Sequence, residues 1–246
     1  MKIVVIGGSG LIGTKVIANL TSHGHEAVAA SPQSGVNTLT GEGLKEALVG
    51  ADVVLDVSNS PSFADDDVMN FFTTSTENQL TAEQETGVRH HVALSIVGAD
   101  RLPDSGYLRA KVAQEKLIRD SGVPFTIVRS TQFFEFGKAI ADSATQDGVV
   151  RLSDGAVQPI ASDDVARMVA KATVGAPLNG IFEIGGPEKF GMAEFARKAL
   201  ARVNDPREVV SDPAAPYFGT LIHEELVPGP DGHLAETRYE DWSAKN

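Results

Sequence analysis

Tyr107 and Lys111 stand four apart at the start of an expected helix, a spacing that sets both side chains on one helix face. An ammonium beside a phenol favours the phenolate and draws the tyrosine toward a pKa useful for proton transfer near neutral pH. Tyr107 is therefore a candidate general acid for a carbonyl oxygen. Ser95 closes the strand pattern Val92-Ala93-Leu94-Ser95, so its hydroxyl is expected at a sheet edge, in reach of the same oxygen. A Tyr-x-x-x-Lys spacing is common on amphipathic helices, and its weight here comes from what precedes it.

That context is the opening run Lys2-Ile3-Val4-Val5-Ile6-Gly7-Gly8-Ser9-Gly10-Leu11-Ile12-Gly13. An apolar β-branched strand empties into a glycine turn and then into a helical pattern, the arrangement that seats a dinucleotide pyrophosphate. Gly7 and Gly8 permit the tight turn, Gly10 brings the backbone to the phosphates, and Gly13 lets the helix pack close to the strand. The unpaired N–H groups of Ser9, Gly10, Leu11, Ile12 and Gly13 around the helix start then face the anion.

The elements that must position these residues alternate strand and helix through the first half, which predicts a doubly wound parallel sheet covered on both faces. Strands are expected at Ile3–Ile6, His25–Ala30, Asp52–Val57, His91–Ser95 and Pro124–Arg129. Helices are expected over Leu11–His23, Thr40–Val49, Asp65–Glu85 and Tyr107–Asp120. Beyond them the pattern loosens into a helix near Phe134–Ser143, a strand Val149–Leu152, a helix Asp164–Thr173, a strand Ile181–Ile184 and a helix Met192–Val203. A Pro-, Gly- and acid-rich tail follows from Asn204. The expectation is one domain over 1–246, with a cofactor-binding core to about residue 130 and a smaller substrate-covering portion from about 131 over the strands' C-terminal ends.

Composition removes several function classes. The 246 residues, 42% hydrophobic and 22% charged, suffice for one large α/β domain. A formal net charge of −12 opposes nucleic acid and anionic membranes as partners and leaves room for a small ligand. Without cysteine there is no disulfide, thiolate nucleophile or Cys-ligated metal. No apolar stretch approaches about 20 residues, and the chain starts on a strand pattern, so the cytoplasm is the expected compartment. His90 and His91 are adjacent in a strand and point to opposite faces, which rules out joint chelation. Asp65-Asp66-Asp67 and Ser162-Asp163-Asp164 read as helix N-terminal caps, and no metal is expected. The assembly expected is a monomer or homodimer.

The glycine turn with Ser95, Tyr107 and Lys111 resembles the short-chain dehydrogenase/reductase superfamily. Three later blocks resemble its atypical, NmrA-like branch: Thr126-Ile127-Val128-Arg129-Ser130-Thr131-Gln132-Phe133-Phe134, Pro159-Ile160-Ala161-Ser162-Asp163-Asp164-Val165-Ala166 and Phe182-Glu183-Ile184-Gly185-Gly186-Pro187-Glu188. The resemblance covers nearly the whole chain and is weakest after about Asn204. It implies a Rossmann-like fold binding NAD(P)H, with Tyr107 as proton donor, Lys111 on the nicotinamide ribose and Ser95 orienting a carbonyl or alcohol substrate, quinones included. Some members of the branch are nucleotide-sensing regulators that have lost the Tyr/Lys pair, which this chain keeps. An epimerase using bound nicotinamide transiently is a further reading.

Cofactor choice turns on the end of the second strand. An NAD-preferring site places a carboxylate there for the ribose 2′-OH, whereas this chain reads Ala29-Ala30-Ser31 with Gln33 and Ser34 following. The expectation is NADP, with NAD as the alternative and Lys15 as the one nearby cation. Ser58, Asn59 and Ser60 follow the third strand and are placed near the cofactor ribose. Gln132, Phe133, Phe134 and Phe136 follow a strand end, where their rings could roof the nicotinamide and favour an apolar or aromatic substrate. The competing reading puts at least two of these rings in the core, and Phe63 is open to the same two readings.

Overall fold

The computed structural model describes residues 1–245. The first element, β1 (Lys2–Ile6), is buried on both faces, as a run of β-branched residues in the middle of a parallel sheet must be. Ile3 and Val5 meet α1 (Leu11–Ser22), while Val4 and Ile6 meet the opposite layer. The chain continues through β2 (Glu26–Ala30), α2 (Leu44–Leu48), β3 (Val53–Asp56), α3 (Asp65–Thr86), β4 (His90–Ile96), α4 (Gly106–Asp120) and β5 (Phe125–Ser130). Three aspartates in the first turn of α3 complement its dipole, and Gly87, at φ +76°, closes its other end.

After β5 come α5 (Gly137–Ser143), β6 (Thr145–Gln146), β7 (Val149–Leu152), β8 (Ala156–Val157) and α6 (Ser162–Val174). The remainder is β9 (Gly180–Gly185), β10 (Phe190–Gly191), α7 (Met192–Arg202), β11 (Val209–Ser211), β12 (His233–Leu234) and α8 (Tyr239–Ser243). The main sheet has the order β12-β9-β5-β4-β3-β1-β2, and all its pairs are parallel. From β1 the chain steps outward to β2 and then crosses back to β3 on the other side. The strand order thus reverses between β1 and β3, the place where open α/β sheets bind ligands.

This is the doubly wound α/β architecture expected, with two differences. The main sheet does not end at β5: β9 and β12 extend it with chain expected only to cover it, so a boundary near residue 130 falls inside the sheet. The helix expected over Thr40–Val49 is confined to Leu44–Leu48, because Gly41 and Gly43 both adopt positive φ and hold the preceding turn outside the helix. The covering portion has its own core, in which Phe134, Phe195, Tyr239 and Trp242 pack with Ile222 and Leu226. It carries two small sheets, β8 with β10 and β6-β7-β11. Among the described residues no helix is long and apolar enough to cross a membrane.

Candidate functional site

The reversal point brings Gly7 against the loop after β3. Gly7 has φ +77°, and a Cβ there would lie 2.8 Å from the Ser58 backbone. At Gly13 a Cβ would run into the Gly7 carbonyl and the Gly8 backbone, so α1 reaches the turn only because the position is bare. The turn is closed by Gly7 N donating to Ala30 O and Gly10 N donating to Gly7 O, both at 3.0 Å. No side chain caps α1 and no acid lies in its first turn, while Ser9, Gly10 and Leu11 are exposed. A glycine cradle under an uncapped helix N-terminus is a positive, donor-rich surface, and it fits a pyrophosphate.

At the end of β2, Ser31 and Ser34 close on each other: Ser31 N donates to Ser34 Oγ and Ser34 Oγ donates to Ser31 O, both at 2.9 Å. Gln33 is exposed beside them. Lys15, the one nearby cation in the sequence, binds Asp163 on α6 at 2.6 Å. The second strand's end thus carries neither an acid nor, in this arrangement, the Lys15 ammonium. Beyond β3, the buried Asp56 accepts from Ser58 N at 2.9 Å and Ser58 Oγ at 2.6 Å. Ser60 Oγ accepts from Ser62 N at 3.2 Å, which turns Ser60 into its own loop.

Tyr107 lies at the start of α4, and its hydroxyl donates to Asn59 Oδ1 at 3.0 Å. Lys111 sits one turn further along and points inward: its ammonium donates to Leu94 O at 3.0 Å and to Gln114 Oε1, 4.2 Å from the centroid of the Phe72 ring. Gln114 Nε2 in turn donates to Asp56 Oδ2 at 3.0 Å, and Gln79 Nε2 donates to the same oxygen at 3.2 Å. Burial pulls the amine down to about 8 against the opposing pull of Asp56 and Glu115. Burial pushes the Tyr107 phenol up to about 12. The expected effect of lysine on tyrosine is absent: burial keeps the proton on the phenol, and the ammonium is turned toward Gln114 and Asp56. The structure does not bring Ser95 to the same point. Its hydroxyl donates to Glu115 Oε1 at 2.6 Å, inside a buried network in which Arg129 forks onto Glu115 at 2.9 and 2.6 Å and reaches Asp100 at 2.9 Å.

The aromatic residues divide differently from the sequence expectation. Phe134 is 2% exposed and packs on Tyr239 and Trp242, so it is core and no pocket wall. Phe133 and Phe136 stack on each other at 5.2 Å, with Phe136 exposed. Around Tyr107 stand Phe63, at 5.3 Å between ring centroids, and Phe218, at 5.2 Å, themselves 5.7 Å apart. Tyr217 packs on Phe218 at 4.7 Å, and the buried Gln132 lies against the Tyr217 hydroxyl while its own Oε1 has no partner. Tyr217 and Phe218 went unread in the sequence, since an aromatic pair in a Pro/Gly-rich tail has no periodicity to assign it. Asp56 and Gln114 went unread because each looks like an ordinary strand-end acid or helix amide.

Other suggestive side chains have structural partners. His90 Nε2 is 2.9 Å from Thr126 Oγ1, and His91 Nδ1 is 2.7 Å from Glu83 Oε1 on the other side of the strand. Asp65 binds Arg109 at 2.8 Å and ties the starts of α3 and α4 together. The α6 N-terminus is not capped by its own acids: Glu135 accepts from Ser162 N at 3.2 Å and Ser162 Oγ at 2.5 Å.

Residues 7–174 match the family model described as NAD(P)H-binding. The chain is 30% identical over 218 residues to the (4-alkanoyl-5-oxo-2,5-dihydrofuran-3-yl)methyl phosphate reductase of Streptomyces griseus, covering 82% of this chain and 72% of that one. It is also 30% identical over 226 residues to the chloroplastic divinyl chlorophyllide a 8-vinyl-reductase of Cucumis sativus, covering 76% of this chain and 53% of that one. The fold is shared with the UDP-glucose 4-epimerase of Thermus thermophilus in complex with NAD, at a TM-score of 0.73 and 20% identity over 93% of this chain and 91% of that one. It is shared likewise with an NADPH-dependent quinone oxidoreductase of Escherichia coli, at a TM-score of 0.66 and 20% identity over 85% of this chain and 77% of that one.

Proposed function

The chain belongs to the NAD(P)H-binding family, and from that premise we propose that it is a reductase of a small carbonyl compound in which Tyr107 delivers the proton. The observation that carries this reading is the placement of Tyr107: a phenol oriented by Asn59, which lies in the loop after β3 whose Ser58 backbone packs against Gly7. Burial keeps the phenol protonated through the physiological range, so it is the proton donor when a carbonyl is reduced and the same oxygen is the acceptor in the reverse reaction. Both 30%-identical relatives are reductases by name, which supports reduction as the direction.

When bound, the reduced cofactor supplies the hydride that the carbonyl carbon accepts. The chain's part is the rest. Backbone N–H groups at the start of α1 hold the pyrophosphate, and Ser58 and Asn59 border the ribose. Lys111 has two N–H groups committed to Leu94 and Gln114, and the third is the one to hold a ribose hydroxyl. Tyr107 Oη gives its proton to the carbonyl oxygen, so that C=O becomes CH–OH as the cofactor is oxidised. The roles of Gly7, Ser9, Gly10, Leu11, Ile12, Gly13, Ser31, Gln33, Ser34 and Ser60 in cofactor binding, and of Gln132, Phe133 and Phe136 near substrate, belong to this proposal. The absence of a carboxylate after β2 supports NADPH as the preferred cofactor.

One observation favours a second reading, a nucleotide-binding regulator without turnover: Ser95 is committed to Glu115 and does not face Tyr107. The deciding experiment is NADPH and NADH oxidation against aldehydes, ketones and quinones, with Tyr107→Phe alongside. The reductase reading expects turnover by the native chain and a loss in kcat of about 100-fold or more in the variant, with cofactor binding retained. Cofactor binding without turnover in either protein transfers the assignment to the regulator.

A further inference from the structure

We propose that Phe218, with Phe63 and Tyr217, forms the specificity wall of this site, and that the compound reduced there bears its carbonyl on a flat aromatic ring. This rests on the reductase reading above and extends it from a reaction to a class of substrate.

The backbone of Phe218 is the first support. Tyr217 N donates to Thr220 O at 2.8 Å and Thr220 N donates to Tyr217 O at 3.2 Å, which leaves Phe218 and Gly219 as a two-residue hairpin loop. Their φ angles are +48° and +79°, so both central residues are left-handed, as in a type I′ turn. Asn-Gly or Gly-Gly is the natural occupant, and a bulky residue at the first position is strained. The ring is 41% exposed, so full burial does not explain its place. Local strain held against a functional group is a mark of function, and here it aims a ring at Tyr107.

The turn is also fixed. Ala215 and Thr220 are buried on either side of it, and Ile222 and Leu226 continue into the core of the covering portion. Ala156 N donates to His223 O at 2.5 Å, and Arg101 Nη2 reaches Val227 O at 3.1 Å. Phe218 is thus presented on a strap anchored at both ends and does not sample the surface freely.

Two polar groups belong to residues of this cluster or touch it. The Tyr107 hydroxyl, which donates to Asn59 Oδ1, is the group to turn to a carbonyl oxygen, and the buried, unpartnered Gln132 Oε1 is an acceptor beside Tyr217. Rings with a few polar atoms among them describe a site for a flat molecule with an oxygen at its edge. An aliphatic chain would cover the same apolar area, but only an aromatic ring gains the ring-to-ring contact with Phe218 and Phe63.

Benzaldehyde and cyclohexanecarbaldehyde are the matched probes, equal in ring size and carbonyl and different in aromaticity. Two readouts are taken on the full chain: kcat/KM with NADPH, and equilibrium affinity by ligand-observed NMR with NADP⁺ bound, where no reduction can occur. The native chain is expected to favour benzaldehyde about fivefold in both. Phe218→Asn, which suits a left-handed φ and should not lower Tm, is expected to erase that preference through KM with kcat within about twofold. Phe218→Leu keeps apolar bulk without the ring and is expected to behave likewise. Equal affinity for the two probes, failure to bind either, or a preference that survives in both variants overturns the wall. A ring preference in binding without any NADPH oxidation leaves the wall standing and removes the reductase reading.

Discussion

At the scale of the residue, a spacing predicts neighbourhood and leaves direction open. Tyr107 and Lys111 share a helix face as their separation requires, yet the lysine's flexible stem turns its ammonium toward Gln114 and Asp56. That outcome depends on a buried carboxylate more than fifty residues upstream, which no local pattern reveals. It also sets a pH dependence. Lys111 is held down to about 8 by burial, so its charge is lost as pH rises through that value, and any hold on a ribose that needs the charge goes with it. NADPH affinity, measured by calorimetry across pH 6 to 10, a range of about two units each side of that value, is expected to weaken above the break. Asp56→Asn removes the opposing carboxylate, and the break should move to lower pH. An unmoved break would separate Asp56 from the lysine's charge. The turn after β1, by contrast, was legible as a turn, because the close backbone approach at Gly7 and Gly13 leaves no room for a Cβ.

At the scale of the element, α3 is joined to β4 by an ionisable pair closed off from solvent. Burial alone would push His91 down, but the Glu83 carboxylate at 2.7 Å outweighs it and holds the imidazole above 6.5. Burial raises Glu83 in turn. Both groups therefore bind protons more readily in the folded chain than in the unfolded one, and stability must fall as pH rises. The contribution of His91 is complete below pH 6.5 and is lost as pH climbs through its raised folded value. Urea midpoints should decline on the alkaline side of 6.5, and Glu83→Met alone should cost about 3 kcal/mol by stranding His91. The double change Glu83→Met with His91→Leu should recover most of that loss and flatten the slope; a slope that persists would place the titrating group elsewhere. Strands and long helices were legible to within a few residues, since their burial pattern is their sequence pattern. The N-terminal cap of α6 was not, because the capping carboxylate, Glu135, comes from a different stretch of chain.

At the scale of the whole molecule, the second half is structural as well as covering. β9 and β12 lie in the main sheet, while Tyr239 and Trp242 complete a core begun by Phe134. The sequence showed the alternation ending at β5 because the later strands are reached by longer, irregular paths. Such interlocking predicts one cooperative unit. The lone tryptophan, Trp242, reports on the covering portion, and far-ultraviolet circular dichroism reports on the sheet and helices together. The two thermal transitions should coincide within about 2 °C. A tryptophan transition well below the other would instead divide the chain into a core and a separable cover.

The strap that carries Phe218 has a consequence for the order in which the protein is made. The nucleotide cradle is written between Lys2 and Ser60, whereas the ring that faces Tyr107 comes after most of the chain has left the ribosome. The sheet that carries the cradle is itself completed by β9 and β12, which flank the strap in the sequence, so the turn at Gly7 and the ring at Phe218 become native in the same late step.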